Sequence, residues 1–335
     1  ADVQELLAYL EDTAGGIMTT EFVALEEQLT AQQAIEALRD LAAEAETIYY
    51  IYVVDARSRL RGVLSLRELL TAPPDTPLRS IMQTNVITVT PDQDQEEVAR
   101  LVARYDLLAV PVVGANRELL GIVTVDDVLD VLEAEATEDI YRITGTPVED
   151  EYLPATPWAR ATSRLPWLIG LLGAEFVAAN VIEGFTAALE AVVALAYFVP
   201  VLMGMGGNVG TQSLAVAVRG LATGDLQAGD LRRILFLELR VGLLLGLATG
   251  AVAMAVVLIW QSVLLLSVIV GAAMLLNTLL AALIGTLVPF ALYRLRVDPA
   301  VASGPFVTTF LDIVGLLNYF LLATGLMRVF GFTVF

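Results

Sequence analysis

Residues 241–293 read VGLLLGLATG AVAMAVVLIW QSVLLLSVIV GAAMLLNTLL AALIGTLVPF ALY, 53 positions without one charged side chain. A helix that crosses a bilayer needs about 20 consecutive apolar residues. The run therefore holds two spans, broken near Trp260-Gln261-Ser262. Residues 191–218 are also uncharged. Two further apolar stretches are interrupted by acids. Leu165–Glu190 carries Glu175, Glu183 and Glu190, and Ala302–Phe330 carries Asp312. The expected spans are 165–189, 193–218, 236–259, 263–292 and 303–329, an all-α five-helix membrane domain over 161–335.

The rest of the chain is of another kind. Residues 1–156 hold 10 Arg and 30 Asp plus Glu, a net of −20, whereas residues 157–335 hold 9 Arg and 8 acids, a net of +1. An acidic soluble half thus precedes an apolar half. A domain of charge −20 repels phosphate, which excludes a nucleic-acid partner. The chain has no Cys and no His, and all 19 basic residues are Arg. Thiolate, imidazole and disulfide chemistry are ruled out, and no enzyme chemistry is legible. Any metal here is held by oxygen, which suits hard cations such as Mg²⁺ and Ca²⁺. The chain starts at Ala1 and shows no signal peptide.

Arginine placement sets an expected orientation. With the acidic half in the cytoplasm, Arg160, Arg164, Arg219, Arg232, Arg233, Arg240, Arg294 and Arg296 fall inside. Only Arg328 falls outside. The expectation is a multi-pass protein of the cell membrane, N-terminus cytoplasmic and C-terminus outside.

Polar residues at membrane depth mark candidate chemistry. A carboxylate at a helix centre costs about 2.5–3.5 kcal/mol on insertion scales, and Asp312 lies about nine residues into the last span. It reads as a cation ligand, as a proton carrier, or as polar glue between helices. Glu183 and Glu190, seven apart, fall on one face of a continuous helix. The second span contains Met203-Gly204-Met205-Gly206-Gly207-Asn208-Val209-Gly210-Thr211-Gln212-Ser213. Glycine is costly inside a helix, so this stretch is either a close packing surface or an unwound, cavity-lining segment.

The soluble half is a duplication. Ile17-Met18-Thr19-Thr20 recurs as Ile81-Met82-Gln83-Thr84, and Gly62-Val63-Leu64-Ser65-Leu66-Arg67-Glu68-Leu69 recurs as Gly121-Ile122-Val123-Thr124-Val125-Asp126-Asp127-Val128. Each copy reads strand, helix (30–42 and 92–105), strand, strand, helix. The arrangement resembles a tandem pair of CBS domains, an α/β fold, over 17–72 and 78–132. Asp92 and Asp94 open the second copy's first helix and Asp126 its last, where acids complement the helix dipole. Glu133, Glu135, Glu138 and Asp139 lie farther along, at spacings where like charges repel. Divalent cations would relieve that repulsion; a solvated acidic face is the alternative.

Together these features resemble the MgtE family of Mg²⁺ channels. The motif Met205–Ser213 is similar to the family's second-span signature. Asp298-Pro299-Ala300-Val301-Ala302-Ser303-Gly304-Pro305, followed by Asp312, is similar to its fifth-span signature. Leu7-Ala8-Tyr9 with Asp12-Thr13-Ala14-Gly15 resembles the family's lead-in, here 1–16, which an acidic helical domain, missing from this sequence, is expected to precede. The resemblance implies a homodimer in the lipid bilayer with one pore on its two-fold axis. It places Asp312, Asn208, Thr211 and Gly315 along the ion path. It implies gating by cytosolic Mg²⁺ at Asp94, Glu96, Asp106, Asp127, Asp130, Glu135, Glu138 and Asp139, on or beside an acidic connecting helix over 133–160, with Asp298 at the pore mouth. It also implies ATP on the first CBS unit, at Tyr50, Arg67 and Glu68, with Ser65 beside the ribose. The rival reading is a proton- or ion-coupled transporter of divalent cations with Asp312 as carrier.

Overall fold

The structure, a computed structural model, describes residues 8–41, 45–146, 156–301 and 303–330. It divides into two compact units, Ala1–Ala136 and Thr137–Phe335.

In the first unit, β1 (Ala24–Glu26) is followed by helix α1 (Ala31–Leu41), strands β2 (Tyr50–Val54) and β3 (Leu60–Ser65), and the short helices α2 (Leu66–Thr71) and α3 (Leu78–Ile81). The second copy supplies α4 (Gln95–Tyr105), β4 (Ala109–Val113), β5 (Leu119–Thr124) and α5 (Val125–Thr144). The duplication is visible in the pairing. Tyr50 faces Ser65 in the antiparallel β2–β3 ladder and Ala109 faces Thr124 in β4–β5, each with a register shift at the last valine, Val54 and Val113. The copies differ at their first strand. β1 pairs in parallel with β2, but the strand expected in copy two shrinks to a single bridge, Val89 to Val112. Val89 N–H donates to Pro111 O, and the next donor in a parallel ladder would be residue 91. That residue is Pro91, which has no N–H.

The lead-in motifs cross between copies. Thr19 exchanges both backbone hydrogen bonds with Ile122 of copy two, and Gln83 exchanges both with Val63 of copy one. Gly121 and Gly62 make these crossings possible. A Cβ on Gly121 would lie 2.8 Å from Met18 Sδ, and one on Gly62 2.7 Å from Met82 Sδ. Ala14 and Met18 are buried in the core of copy two with Val98, Val102 and Val123. A third cluster, Tyr52, Leu60, Ala109 and Ile122, draws on both copies. The seam is apolar burial, the dominant source of stability in such folds.

In the second unit five helices are long and apolar enough to cross a membrane. They are α6 (Pro157–Gly184), then after the short α7 (Thr186–Ala191), α8 (Leu195–Ala222), α9 (Leu231–Gln261), α10 (Leu264–Arg294) and α11 (Gly304–Val329). Most run past the expected hydrocarbon bounds at one or both ends, because helices continue into the interface until a cap or turn stops them. Ser303 caps α11, its Oγ accepting from Phe306 N–H. Ser262, left-handed at φ 55°, separates α9 from α10. The first span departs from expectation. It ends at Gly184, with Phe185 out of helical geometry, so Glu183 and Glu190 sit on two helices rather than one face.

The second, fourth and fifth spans form the packed centre, whereas the first and third remain largely exposed. Phe198 and Leu202 meet Ile269, Val270 and Met274 of α10 and Leu316, Tyr319 and Phe320 of α11. The buried Tyr319 hydroxyl donates to Leu195 O at 3.0 Å, satisfying a polar atom that lipid could not. Gly242, Gly246 and Gly250 let α9 lie directly against the α10 backbone.

The acidic stretch expected as a helix over 133–160 is arranged differently. Residues 133–144 are the second half of α5, and Pro157–Arg160 open the first span. Residues 147–155 and Leu7 lie outside the described residues, as does Ala302.

Candidate ion pathway, acidic sites and nucleotide cleft

The glycine-rich stretch of α8 is helical throughout. The unwound alternative is therefore excluded, and packing explains two of its glycines. A Cβ on Gly207 would lie 2.4 Å from Thr308 Cγ2, and one on Gly210 2.2 Å from Leu311 Cδ1. These contacts lay α8 against α11 side by side. Asn208 follows Gly207 and Asp312 follows Leu311 in sequence. In the single chain Asn208 and Gln212 are exposed and Asp312 is half-buried. Thr211 turns its hydroxyl back to Gly207 O at 2.8 Å. Gly315 is buried, and its carbonyl accepts from Asn277 Nδ2 at 3.3 Å. It lies behind the Asp312 turn instead of on an open face.

Sequence reasoning missed Asn277, Asn318 and Glu238. Asn277 and Asn318 pair across α10 and α11. Glu238 of α9 accepts from Ser213 Oγ of α8 at 3.0 Å. For Asn277 and Asn318 a polar residue inside an uncharged run was the available signal, since such residues mark helix–helix hydrogen bonds or pathways.

Most acids of the expected regulatory set have partners within the chain. Asp94 caps α4, its Oδ1 accepting from Glu96 N–H at 2.9 Å. It therefore precedes the helix instead of lying in its first turn, and Asp92 precedes it too. Glu96 pairs with Arg100 at 3.2 Å. Asp106 ends α4 in the left-handed conformation, φ 52°. Thr124 Oγ1 donates to Asp127 Oδ2 at 2.6 Å. Asp130 is exposed and Asp139 half-buried. Glu135 accepts from Gln95 Nε2 at 2.8 Å. Arg142, one turn beyond Glu138, pairs with both Glu138 and Asp298. Part of the relief expected from cations thus comes from Arg142 and Gln95. Among the described residues no three or more Asp or Glu side chains converge as a metal cage.

The four residues expected around a nucleotide do come together. Tyr50, Ser65, Arg67 and Glu68 line a cleft of about 340 Å³ with Gln83 and Asn85. Ser65 and Glu68 bond each other in a capping box. Ser65 Oγ donates to Glu68 Oε2 at 2.7 Å, and Ser65 N–H donates to the same oxygen at 2.9 Å. These bonds, hydroxyl first, hold the Glu68 carboxyl below its ordinary range. Tyr52 also lines the cleft, and its buried hydroxyl has no hydrogen-bond partner among the described residues.

The sequence profile of CBS domains matches residues 14–75 and 78–134. That of MgtE, described as a divalent cation transporter, matches residues 199–322. The magnesium transporter MgtE of Thermus thermophilus is 49% identical over 329 residues, 98% of this chain and 73% of that protein. The chain belongs to the MgtE family. The MgtE proteins of Enterococcus faecalis and Bacillus subtilis are 44% and 42% identical, each over 72% of its own length. Among solved structures, the cytosolic domain of the Mg²⁺ channel MgtE in complex with ATP is 55% identical, covering 39% of this chain and 52% of that one with a TM-score of 0.38. This chain thus joins a tandem CBS pair to five helices long and apolar enough to cross a membrane.

Proposed function

We propose that this chain forms a Mg²⁺-selective channel, as a two-fold homodimer with the second and fifth spans at the axis. The MgtE relatives carry the ion, and they are transporters rather than enzymes. The observation that carries the pore assignment is the pairing of α8 with α11. It sets exposed Asn208 and Gln212 and half-buried Asp312 at membrane depth. Carboxamides and a carboxylate facing hydrocarbon are costly. A water-filled path shared with a second copy removes that cost. Mg²⁺ sheds water reluctantly, so two Asp312 carboxylates across the axis attract the hydrated ion without stripping it. Other divalent ions of similar hydration enter the same path. The arginine bias places the CBS unit in the cytoplasm.

Gating follows from the acids of α5. Asp127, Asp130, Glu135, Glu138 and Asp139, with Asp94, Glu96 and Asp106 of copy two, supply only oxygen ligands, the donor set Mg²⁺ prefers. Glu138 and Asp298 share Arg142 when metal is absent, and Mg²⁺ displaces it. Cytosolic Mg²⁺ closes the pore by binding that arrangement more tightly than the open one. ATP fits the cleft of the first copy. Tyr50 offers a ring for the base, Arg67 a cation for phosphate, and the unpartnered Tyr52 hydroxyl a hydrogen bond.

The test is Mg²⁺ uptake into proteoliposomes. Asp312→Ala abolishes uptake while crosslinking still reports a dimer. Wild-type flux in that variant removes Asp312 from the path. Uptake that stops when the proton gradient is collapsed replaces the channel with the coupled transporter.

A further inference from the structure

We infer that Asn277 is a positioning residue for the ion path, fixing the turn of the fifth span that follows Asp312. This rests on the reading of Asp312 as the ion-facing acid. Asn277 lies inside the uncharged run of α10 and is 4% exposed. A buried carboxamide in hydrocarbon persists only when its donors and acceptor are used. Both of its contacts go to one turn of one neighbouring helix. Its Nδ2 donates to Gly315 O at 3.3 Å, and its Oδ1 accepts from Asn318 Nδ2 at 2.6 Å.

Residues three apart on a helix are neighbours on its surface. Asp312, Gly315 and Asn318 therefore form a row, and Asn277 grips its last two members. The grip needs glycine in the middle. A Cβ at Gly315 would lie 3.0 Å from Asn277 Nδ2 and 3.2 Å from Met203 Cε. A void of about 10 Å³ opens where Asn277 and Gly315 meet Gly206 of the second span. This is the lower limit for one water. The contact thus lies at the junction of the spans assigned to the pore.

A clamp of this kind sets the rotation of α11 about its own axis. Successive helix residues are about 100° apart. A modest rotation of the helix therefore swings the Asp312 carboxylate away from the axis. The alternative role is adhesion alone, since asparagine also joins membrane helices for stability. The two roles differ in what they change. Adhesion changes the melting temperature of the dimer. Positioning changes how well the path distinguishes ions, as groups that orient a metal ligand typically change affinity by about 10–100-fold.

The experiment measures uptake of Mg²⁺ and Ca²⁺ by the full chain in proteoliposomes, alongside melting of the detergent-solubilised dimer. Asn277→Leu keeps the size and removes both hydrogen bonds. The expected result is a Mg²⁺-to-Ca²⁺ uptake ratio about tenfold lower and a weaker apparent Mg²⁺ affinity. Ser267→Ala is the control. Ser267 Oγ donates to a carbonyl at the start of its own helix, Val263 O, and the ratio of this variant stays at the wild-type value. If Asn277→Leu does not assemble, Asn318→Leu tests the same clamp and lowers the ratio in the same direction. A wild-type ratio and affinity in the assembled variant, with only melting lowered, overturns the inference. Asp312→Ala measured in parallel separates the two readings. If it abolishes uptake while the Asn277→Leu ratio is unchanged, only the positioning role fails. If it leaves uptake intact, the ion-path reading fails first.

Discussion

Arg142→Gln tests the proposed binding of Mg²⁺ at the acidic end of α5. Arg142 is the counter-ion of both Glu138 and Asp298. The three side chains are 39%, 29% and 32% exposed. Partly exposed pairs of this kind are worth about 0.5 kcal/mol each, so the two together hold about 1 kcal/mol. Mg²⁺ that ligates these carboxylates must displace the guanidinium and give up that energy. Removing Arg142 leaves Glu138 and Asp298 uncompensated, and Mg²⁺ then binds about fivefold more tightly, at 1.4 kcal/mol per factor of ten. The assay is protease protection of the segment 133–160 of the chain in proteoliposomes, titrated with Mg²⁺. The midpoint falls about fivefold in the variant at low ionic strength. The difference shrinks as salt rises, because exposed charges are screened over about 10 Å at 0.1 M. A midpoint that stays put or rises refutes the competition between Arg142 and the metal.

Two other outcomes follow from contacts described above. Gly210→Val drives a side chain into Leu311, which already lies 2.2 Å from an ideal Cβ; it lowers the stability of the membrane unit by about 1–3 kcal/mol, read as a lower melting temperature in detergent. Glu68 titrates below its ordinary value because Ser65 favours the ionised form, so its stabilising effect is complete above the ordinary glutamate pKa of about 4.3 and fades as pH falls through the lowered folded value. The melting difference between wild type and Glu68→Gln is therefore constant from pH 5 to 8 (roughly,) and shrinks in more acidic solution; a difference that grows on acidification contradicts the hydrogen bonds assigned to Ser65.

The sequence alone determined which parts of this chain are membrane and which are soluble. Hydrocarbon tolerates no unsatisfied charge, so the uncharged runs and their breaks were readable without coordinates, down to the turn at Ser262. The duplication was readable too. The same motif at Gly62 and Gly121 builds the same ladder with the same register shift. The four cleft residues came from the family resemblance that the duplication carries, not from spacing; the structure then set Tyr50 opposite Ser65 in the β2–β3 ladder.

Tertiary structure decided the rest, wherever the physics runs between residues distant in sequence. Nothing local tells Ile17-Met18-Thr19 to pair with copy two, because backbone hydrogen bonding across a seam is blind to sequence distance. The missing strand at Val89 needed the ladder geometry that makes Pro91 the next donor. The break at Phe185 parted Glu183 from Glu190, which periodicity had joined. Arg142 and Asp298, 156 residues apart, share charge only after the second unit has folded. Asn277 looked like one polar residue in an apolar run. Only the packing of α10 on α11 turns it into a clamp, because a carboxamide's role is set by which donors and acceptors lie within 3.3 Å of it.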